Sequence, residues 1–486
     1  MTATHPAINK IHSSVRGGQR KTTLRLGFSK LREPLYYRLT APCRGELRST
    51  RRAATMTMGE NDVDYMFKEI DTNLTDPTFF ANGDPDAAYR IMRKEDPVHW
   101  TQGRLTFGFW SVFKYKDAHA VYAGDNRLFS IQEKGNVLPA HPEFEDENLE
   151  FQRLTREGAN LSAMDGAPHT ALRQAFSARF AIPGVASLQD MVRTLCVEIL
   201  NDVLPKGQCD FAIDVAARLP LMVIADIMGI PREDWDDLYH WTNMFASPDD
   251  PEFIQGTPLE TTMFGLQNIN GYCLKLAHAR RENPGNDLMS TLATVEVNGK
   301  KLTDEQLAFN GLMFFNAGHE TTRNTLCAGL AELTRQPAEF ARLRELRHDA
   351  KALKTAVEEL VRWMTPLNHQ MRTATEDTEL GGKQIRKGDR VVVWNVSANR
   401  DEDQFPEPYR FDVQRTPNVH LGFGFGKHFC LGANLARLEM QTLLEYLLGS
   451  MNDIELTATP EVSASNLFPG IKRMPIKFTP HEKISV

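Results

Sequence analysis

The sequence predicts a single, mainly α-helical domain with small β-sheets at its edges. Three observations carry this. Segments of helical texture at 84–95, 169–181, 185–204, 216–228, 232–245, 258–282, 338–346, 348–364 and 433–449 follow one another with no internal repeat and no linker between two halves. Between Thr303 and Pro337 no proline interrupts a mostly apolar run, and a helix of ~33 residues spans on the order of 50 Å, the width of a large domain. Strand-like stretches are short: 105–116 alternates, 372–396 reads as hairpins around Gly381-Gly382 and Gly388-Asp389, and 453–480 as strands around the Pro469-Gly470 turn.

Length and composition bound the rest. A chain of 486 residues, 41% hydrophobic, can bury a substantial core. A net charge of -7 makes it no obvious nucleic-acid or membrane-surface binder. No apolar run of about 18 residues predicts a transmembrane helix, and no charged stretch followed by an apolar one reads as a secretory signal. The six cysteines are scattered without a Cys-x-x-Cys pair, which leaves zinc ribbons, thioredoxin-like motifs and covalent haem attachment unsupported and fits a reduced, cytoplasmic setting. Residues 1–55 carry twelve Lys/Arg against two Asp/Glu. This basic leader (1–57) has three readings: a translation start placed too early, favoured because Met56 and Met58 directly precede globular-looking sequence; a disordered basic arm; or an organelle transit peptide. The domain proper is expected over 58–486.

The long helix opens on Thr303-Asp304-Glu305-Gln306, the capping-box pattern. Near its middle it carries Asn316, Gly318, His319, Glu320, Thr321 and Thr322. Buried polar groups there are costly unless paired, so this break marks a candidate functional site. Residues 131–163 read as a long polar loop, a kind often functional. A glycine-rich loop, 422–432, leads into the helix at 433–449.

The densest signal is Phe423-Gly424-Phe425-Gly426-Lys427-His428-Phe429-Cys430-Leu431-Gly432. Glycines let backbone N–H groups approach a sulfur, hydrogen bonds to a thiolate tune an iron's potential, Phe423 and Phe429 could exclude water, and the helix that follows would point its positive end at the sulfur. A lone cysteine is more often a small buried hydrophobe. Gly426-Lys427 is followed by His428, so no phosphate-binding P-loop forms, and no G-x-G-x-x-G is matched.

This loop resembles the haem-binding loop of cytochromes P-450 at Phe423, Gly424, Gly426, Cys430 and Gly432. Further segments are similar, in the family's order: Ala317-Gly318-His319-Glu320-Thr321-Thr322 to the oxygen-activating stretch of the distal helix, Glu359-Leu360-Val361-Arg362 to the Glu-x-x-Arg pair, Asn399-Arg400-Asp401 through Phe405, Phe411 and Arg415 to the segment that locks it, and His169 to Arg173 to the helix meeting a haem propionate. The resemblance covers about residues 60–480. It implies a mainly α P-450 fold with the long helix over a buried haem b, Cys430 as the iron's ligand, and O2 as co-substrate. Thr321 and Glu320 would deliver protons, with Ala317 and Gly318 letting the helix open beside the iron; a hydroxyl at this place can otherwise simply bond a carbonyl one turn back. Glu359, Arg362 and Arg415 would form a structural triad. Arg173, Arg372, His428 and His169 would bind the propionates, with Gln370 a weaker contact.

The implied reaction inserts one oxygen atom from O2 into a C–H bond. Electrons would come from a [2Fe–2S] ferredoxin and an NAD(P)H-dependent ferredoxin reductase, with Arg179, Lys427 and Arg437 as docking cations. The expected substrate pocket comprises Met313, Phe314, Asn316, Ala317, Asn368, His369, Leu467 and Phe468, mostly apolar and suited to a hydrophobic ligand. Arg362–Leu380 and Asn418–Met440 look most like the soluble terpineol-type members, which favours a terpenoid, cyclic or aromatic hydrocarbon over a steroid or fatty acid. A monomer is expected. Two rival functions are a peroxide-driven enzyme, which the Glu320-Thr321 pair argues against, and a non-enzymatic haem sensor, which would need no proton relay.

Overall fold

The computed structural model describes residues 60–125, 127–139, 145–157, 160–246 and 252–481; the basic leader lies outside the described residues. The fold is built around the helix Asp304–Arg335. The Thr303 side chain accepts from the Gln306 N–H and the Gln306 side chain accepts from the Thr303 N–H, at 3.3 and 3.0 Å, so both halves of the capping box form. Asp304 and Glu305 add negative charge at its positive end and Arg335 adds positive charge at the other. Most of its length, including Leu307–Leu312 and Thr322–Leu333, is buried, as expected for a central helix apolar on every side. The helices Arg218–Met228, Pro258–Glu282 and Ala350–Met364 pack directly on it.

The principal sheet has five strands in the order Val98–Thr101, Phe109–Val112, Arg390–Trp394, His369–Ala374 and Phe129–Ser130. Its neighbours are antiparallel except Arg390–Trp394 with Phe109–Val112. Thr378–Leu380 and Lys383–Ile385 form the hairpin expected around Gly381-Gly382. The tail strands Met451–Leu456 and Pro475–Pro480 pair with each other, and the latter with Gln208–Asp210.

Two expectations are corrected. The alternating stretch 105–116 is a strand only over Phe109–Val112, because a helix begins at Tyr115. The 131–163 loop contains the helix Glu145–Glu157. Its acidic start, which read as loop, is what a helix N-terminus favours, and Glu145 also accepts from the Thr106 N–H at 2.8 Å.

His99 fastens the helix Glu60–Leu74 to the sheet's edge strand, with Nε2 3.0 Å from Asp71 and Nδ1 2.9 Å from Asp96. Burial works against its charge, but the two carboxylates outweigh it and raise its pKa to about 9 from 6.5. The stabilisation is therefore complete below the unfolded-state value and is lost as pH rises through about 9, on the order of 3 kcal/mol. Urea midpoints are expected to fall between pH 7 and pH 10 in the native chain and to lie closer together in His99→Gln.

Candidate active site

The glycine-rich loop is closed by its own backbone. The Gly424 N–H donates to Leu421 at 2.9 Å, the Cys430 N–H donates to Phe423 at 2.9 Å, and Gly426–His428 makes a single 3₁₀ turn. Gly426 has φ +74°, and a side chain there would meet the Tyr122 carbonyl at 2.6 Å, so only glycine fits. Cys430 is half-buried. Burial pushes its thiol up, while the Gly432 N–H on the sulfur and the charges of Arg173 and Arg437 pull it down. A thiol placed this way is prepared for a cation that would deprotonate it outright.

Arg437, expected as a docking cation, is committed elsewhere: it grips Glu358 at 2.5 and 2.9 Å and lies 4.3 Å from the Phe423 ring. His420 joins it, accepting at Nδ1 from the Gly422 N–H and donating from Nε2 to Glu358 at 3.0 Å. Burial raises the Glu358 carboxyl, but His420 and Arg437 together bring it down to about 2. Phe423 is partly buried and packs against the main core, and Phe429 is 39% exposed.

Two buried donors near this loop lack partners, Nε2 of His169 and Nη2 of Arg372, and Nε2 of His428 has only a long contact to Asp165. The two imidazole rings lie 4.3 Å apart. Burial, together with His428 and Arg173, drives His169 down to about 4. Arg372 spends Nε on Asp125 at 2.7 Å and Nη1 on the Met371 carbonyl at 3.0 Å, which fixes the remaining nitrogen in direction. Asp165, expected from no motif, lies 3.6 Å from His428 and is anchored by Ser130. Gln370 shares the Arg372 face of its strand and approaches Gly424. Arg173 donates to the Phe429 carbonyl at 2.5 Å.

On the long helix, Met313, Asn316, Ala317, Gly318, Glu320 and Thr321 are accessible to differing degrees, whereas Gly311, Leu312, Phe314, Phe315, His319 and Thr322 are buried. Their spacing of three and four residues makes one face. The Thr321 hydroxyl donates to the Ala317 carbonyl at 3.0 Å, the one-turn-back bond the sequence allowed. Glu320 accepts from Arg323 at 3.1 Å and from Asn324 at 3.0 Å. Burial raises its carboxyl, but Arg323, His319 and Asn324 outweigh that and hold it below the ordinary value. These partners, at i+3 and i+4, were readable from spacing alone.

Several expected members of the site stand elsewhere. Gly318 faces Ile224, where an added side chain would meet Cγ1 at 3.3 Å, and the helix runs through it unbroken. Phe314 is buried against Phe176 and Phe180, with ring centroids at 4.8 and 6.3 Å. His369 accepts from the Leu138 N–H at 2.9 Å and donates to the Asn466 carbonyl at 3.1 Å, and burial lowers it to about 4. Asn368 donates to the same carbonyl at 2.8 Å. His369 is a strut between Leu138 and Asn466, and Asn368 ties down Asn466 and accepts from Tyr89, so the polar groups of both are committed within the protein. Leu467 and Phe468 sit half-buried on the turn these two residues hold.

Behind the loop, Glu359 and Arg362 form a fully buried bidentate pair at 2.7 and 2.8 Å, and Arg415 adds its Nε at 3.2 Å, so the expected triad is assembled.

This arrangement, with a thiol on a glycine loop, unpaired donors for carboxylates beside it and an acid–alcohol helix face, is that of a haem-thiolate oxidoreductase. Residues 254–452 match the Cytochrome P450 family model. The chain is 32% identical over 415 residues to the steroid C26-monooxygenase of Mycobacterium tuberculosis (84% of this chain, 92% of that one). It is 32% identical to the linalool 8-monooxygenase of Pseudomonas putida (84% and 99%) and 34% identical to a methyl-branched lipid omega-hydroxylase of M. tuberculosis (88% and 98%). A Mycobacterium marinum cytochrome P450 solved with pseudoionone superposes with a TM-score of 0.76 at 34% identity (84% and 98%). The chain belongs to the cytochrome P450 family and is a monooxygenase whose cofactor is haem b and whose co-substrate is O2. The residues present fit that group, since the unpartnered His169 and Arg372 nitrogens, with the loosely held His428 beside them, are what two buried propionates require.

Replacing Arg362 by Leu strands a buried carboxylate and is expected to cost about 3–5 kcal/mol. The variant should lose the haem-thiolate absorbance of the reduced, CO-treated protein, whereas Arg372→Lys, which leaves a cation beside the buried Asp125, should keep the fold and release haem more readily to apomyoglobin.

Proposed function

We propose that this monooxygenase hydroxylates the methyl-branched end of a hydrophobic chain, as in a terpenoid or a steroid side chain, using electrons passed from NAD(P)H through a cytoplasmic ferredoxin reductase and a [2Fe–2S] ferredoxin. The observation that carries the reading is the accessible helix face: Met313 and Ala317 are apolar, Asn316 is its one polar group apart from the acid–alcohol pair, and Glu320 and Thr321 stand next along it. Steroid C26, linalool C8 and the omega end of a methyl-branched lipid, the positions named for three relatives, all terminate branched aliphatic chains. No helix among the described residues is long and apolar enough to cross a membrane.

Haem, when bound at Cys430, supplies oxygen activation; the side chains supply its protons and its shape. Thr321 has its hydrogen committed to Ala317, so its oxygen acts on the accessible helix face as an acceptor. Glu320, held ionised by Arg323, can take up a proton and pass it on. His169, Arg372 and His428 would bind the propionates, and Gly432 with Arg173 would stabilise the Cys430 thiolate. A peroxide-driven reaction would not use the acid–alcohol pair.

The first test is the spectrum of the dithionite-reduced protein under CO beside Cys430→Ala: the long-wavelength Soret band of a thiolate-ligated haem is expected in the native chain only, and its absence there overturns the site. With reconstituted redox partners, a branched-side-chain steroid or pseudoionone should shift the spin state and yield a terminal alcohol, while hydrogen peroxide alone should not sustain turnover. Thr321→Ala should continue to oxidise NAD(P)H but form product about tenfold or more less efficiently, the scale of lost proton-transfer catalysis.

A further inference from the structure

Glu320 is wired to a distant part of the chain. Arg323, buried, donates from Nη1 to Glu320 at 3.1 Å and from Nη2 to the Ile471 carbonyl at 3.0 Å. Asn324, fully buried, donates to the other Glu320 oxygen at 3.0 Å, while its own Oδ1 has no hydrogen-bond partner. Its amide lies so close to Gly470 that a Cβ there would stand 2.3 Å away. Both Glu320 partners therefore lean on the C-terminal end of one turn. The other end of that turn is fixed by Asn368 and His369 on the Asn466 carbonyl and by the Asn368 N–H on Leu467 at 2.9 Å. Between the two anchors Leu467, Phe468 and Pro469 are only half-buried.

We propose that Arg323 and Asn324 are positioning residues that couple the turn Leu467–Ile471 to the carboxylate of Glu320, so that a substrate packed against the turn sets how efficiently protons reach Thr321. The inference rests on the reading of Glu320 as the proton-supplying acid. Its physical basis is that the turn, held at both ends, transmits displacement at Leu467 or Phe468 to Gly470 and Ile471, and both are in contact with the groups that orient Glu320. Charge neutralisation alone would require only Arg323. It does not explain a fully buried amide on the second carboxylate oxygen, or a glycine where that amide meets the turn. Other titratable groups acting on the pair are His319, Tyr239, Asp210 and Cys327.

The test uses the haem-loaded full chain with ferredoxin, reductase and a branched-side-chain steroid, comparing Glu320→Gln, Asn324→Ala, Arg323→Lys and Gly470→Ala. Product formed per NAD(P)H and the solvent deuterium isotope effect on NAD(P)H oxidation are read for each, with the reduced-CO spectrum as a check on folding. Asn324→Ala and Arg323→Lys are expected to keep substrate affinity within about twofold, to lower product per NAD(P)H about fivefold, and to move the isotope effect toward that of Glu320→Gln. If Glu320→Gln changes neither readout, its assignment as the acid fails and the coupling with it. If Glu320→Gln changes both while Asn324→Ala changes neither, or lowers product without moving the isotope effect, the coupling is overturned and the earlier assignment stands. Asn324→Ala decides the matter even where Arg323→Lys fails to fold.

Discussion

One buried charge pair holds the irregular half of the molecule in place. Placing Glu359 and Arg362 out of water is costly, and the pair is tolerable only because nearly every polar atom is used. Arg362 spends two donors on Glu359 and two more on the carbonyls of Asn399 and Pro408. Glu359 also accepts from the Asp412 N–H, Arg415 and Asn418. The segment from 399 to 420 has almost no repeating backbone ladder to stabilise it, so these bonds substitute for one. It ends at Leu421, whose N–H is held by Asn399 at 2.7 Å, and the cysteine loop begins there. The sulfur's position is thus set by an ion pair that never touches it.

The distal side solves the opposite problem. A helix buried nearly all round must tolerate an acid and an alcohol at its centre. Thr321 satisfies its hydrogen within the helix, and Glu320 is satisfied by residues on its own face. Both stay available to chemistry because only one side of the helix opens at that level. His319, immediately before them in sequence, points into the core and is kept neutral by burial, with a pKa of about 4.

Much of this was legible in the chain. The capping box and the proline-free run gave the long helix to within a residue, because helix ends are encoded locally. Cys430, the Glu359–Arg362 pair and the Glu320–Thr321 pair were legible because each lies in a short pattern, and Arg415 because a second segment resembled the family as well. Roles decided by tertiary contact were not. Phe314 looks like a pocket residue until Phe176 and Phe180 are seen to cover it. Asn368 and His369 read as ligand handles because nothing near them in sequence announces Leu138 or Asn466. Asp125, which fixes Arg372, is 247 residues away from it. The 145–157 helix was hidden by its acidic start, which has the composition of a loop.

The cap on Thr303 has a consequence for how this protein can diversify. It fixes the starting phase of a rigid rod, and Thr321 stands eighteen residues further on. Each residue added or removed between them would rotate the acid–alcohol face by about 100° about the helix axis, swinging it into the surrounding helices. The interval therefore works as an indexed shaft whose length cannot change without turning the catalytic face away.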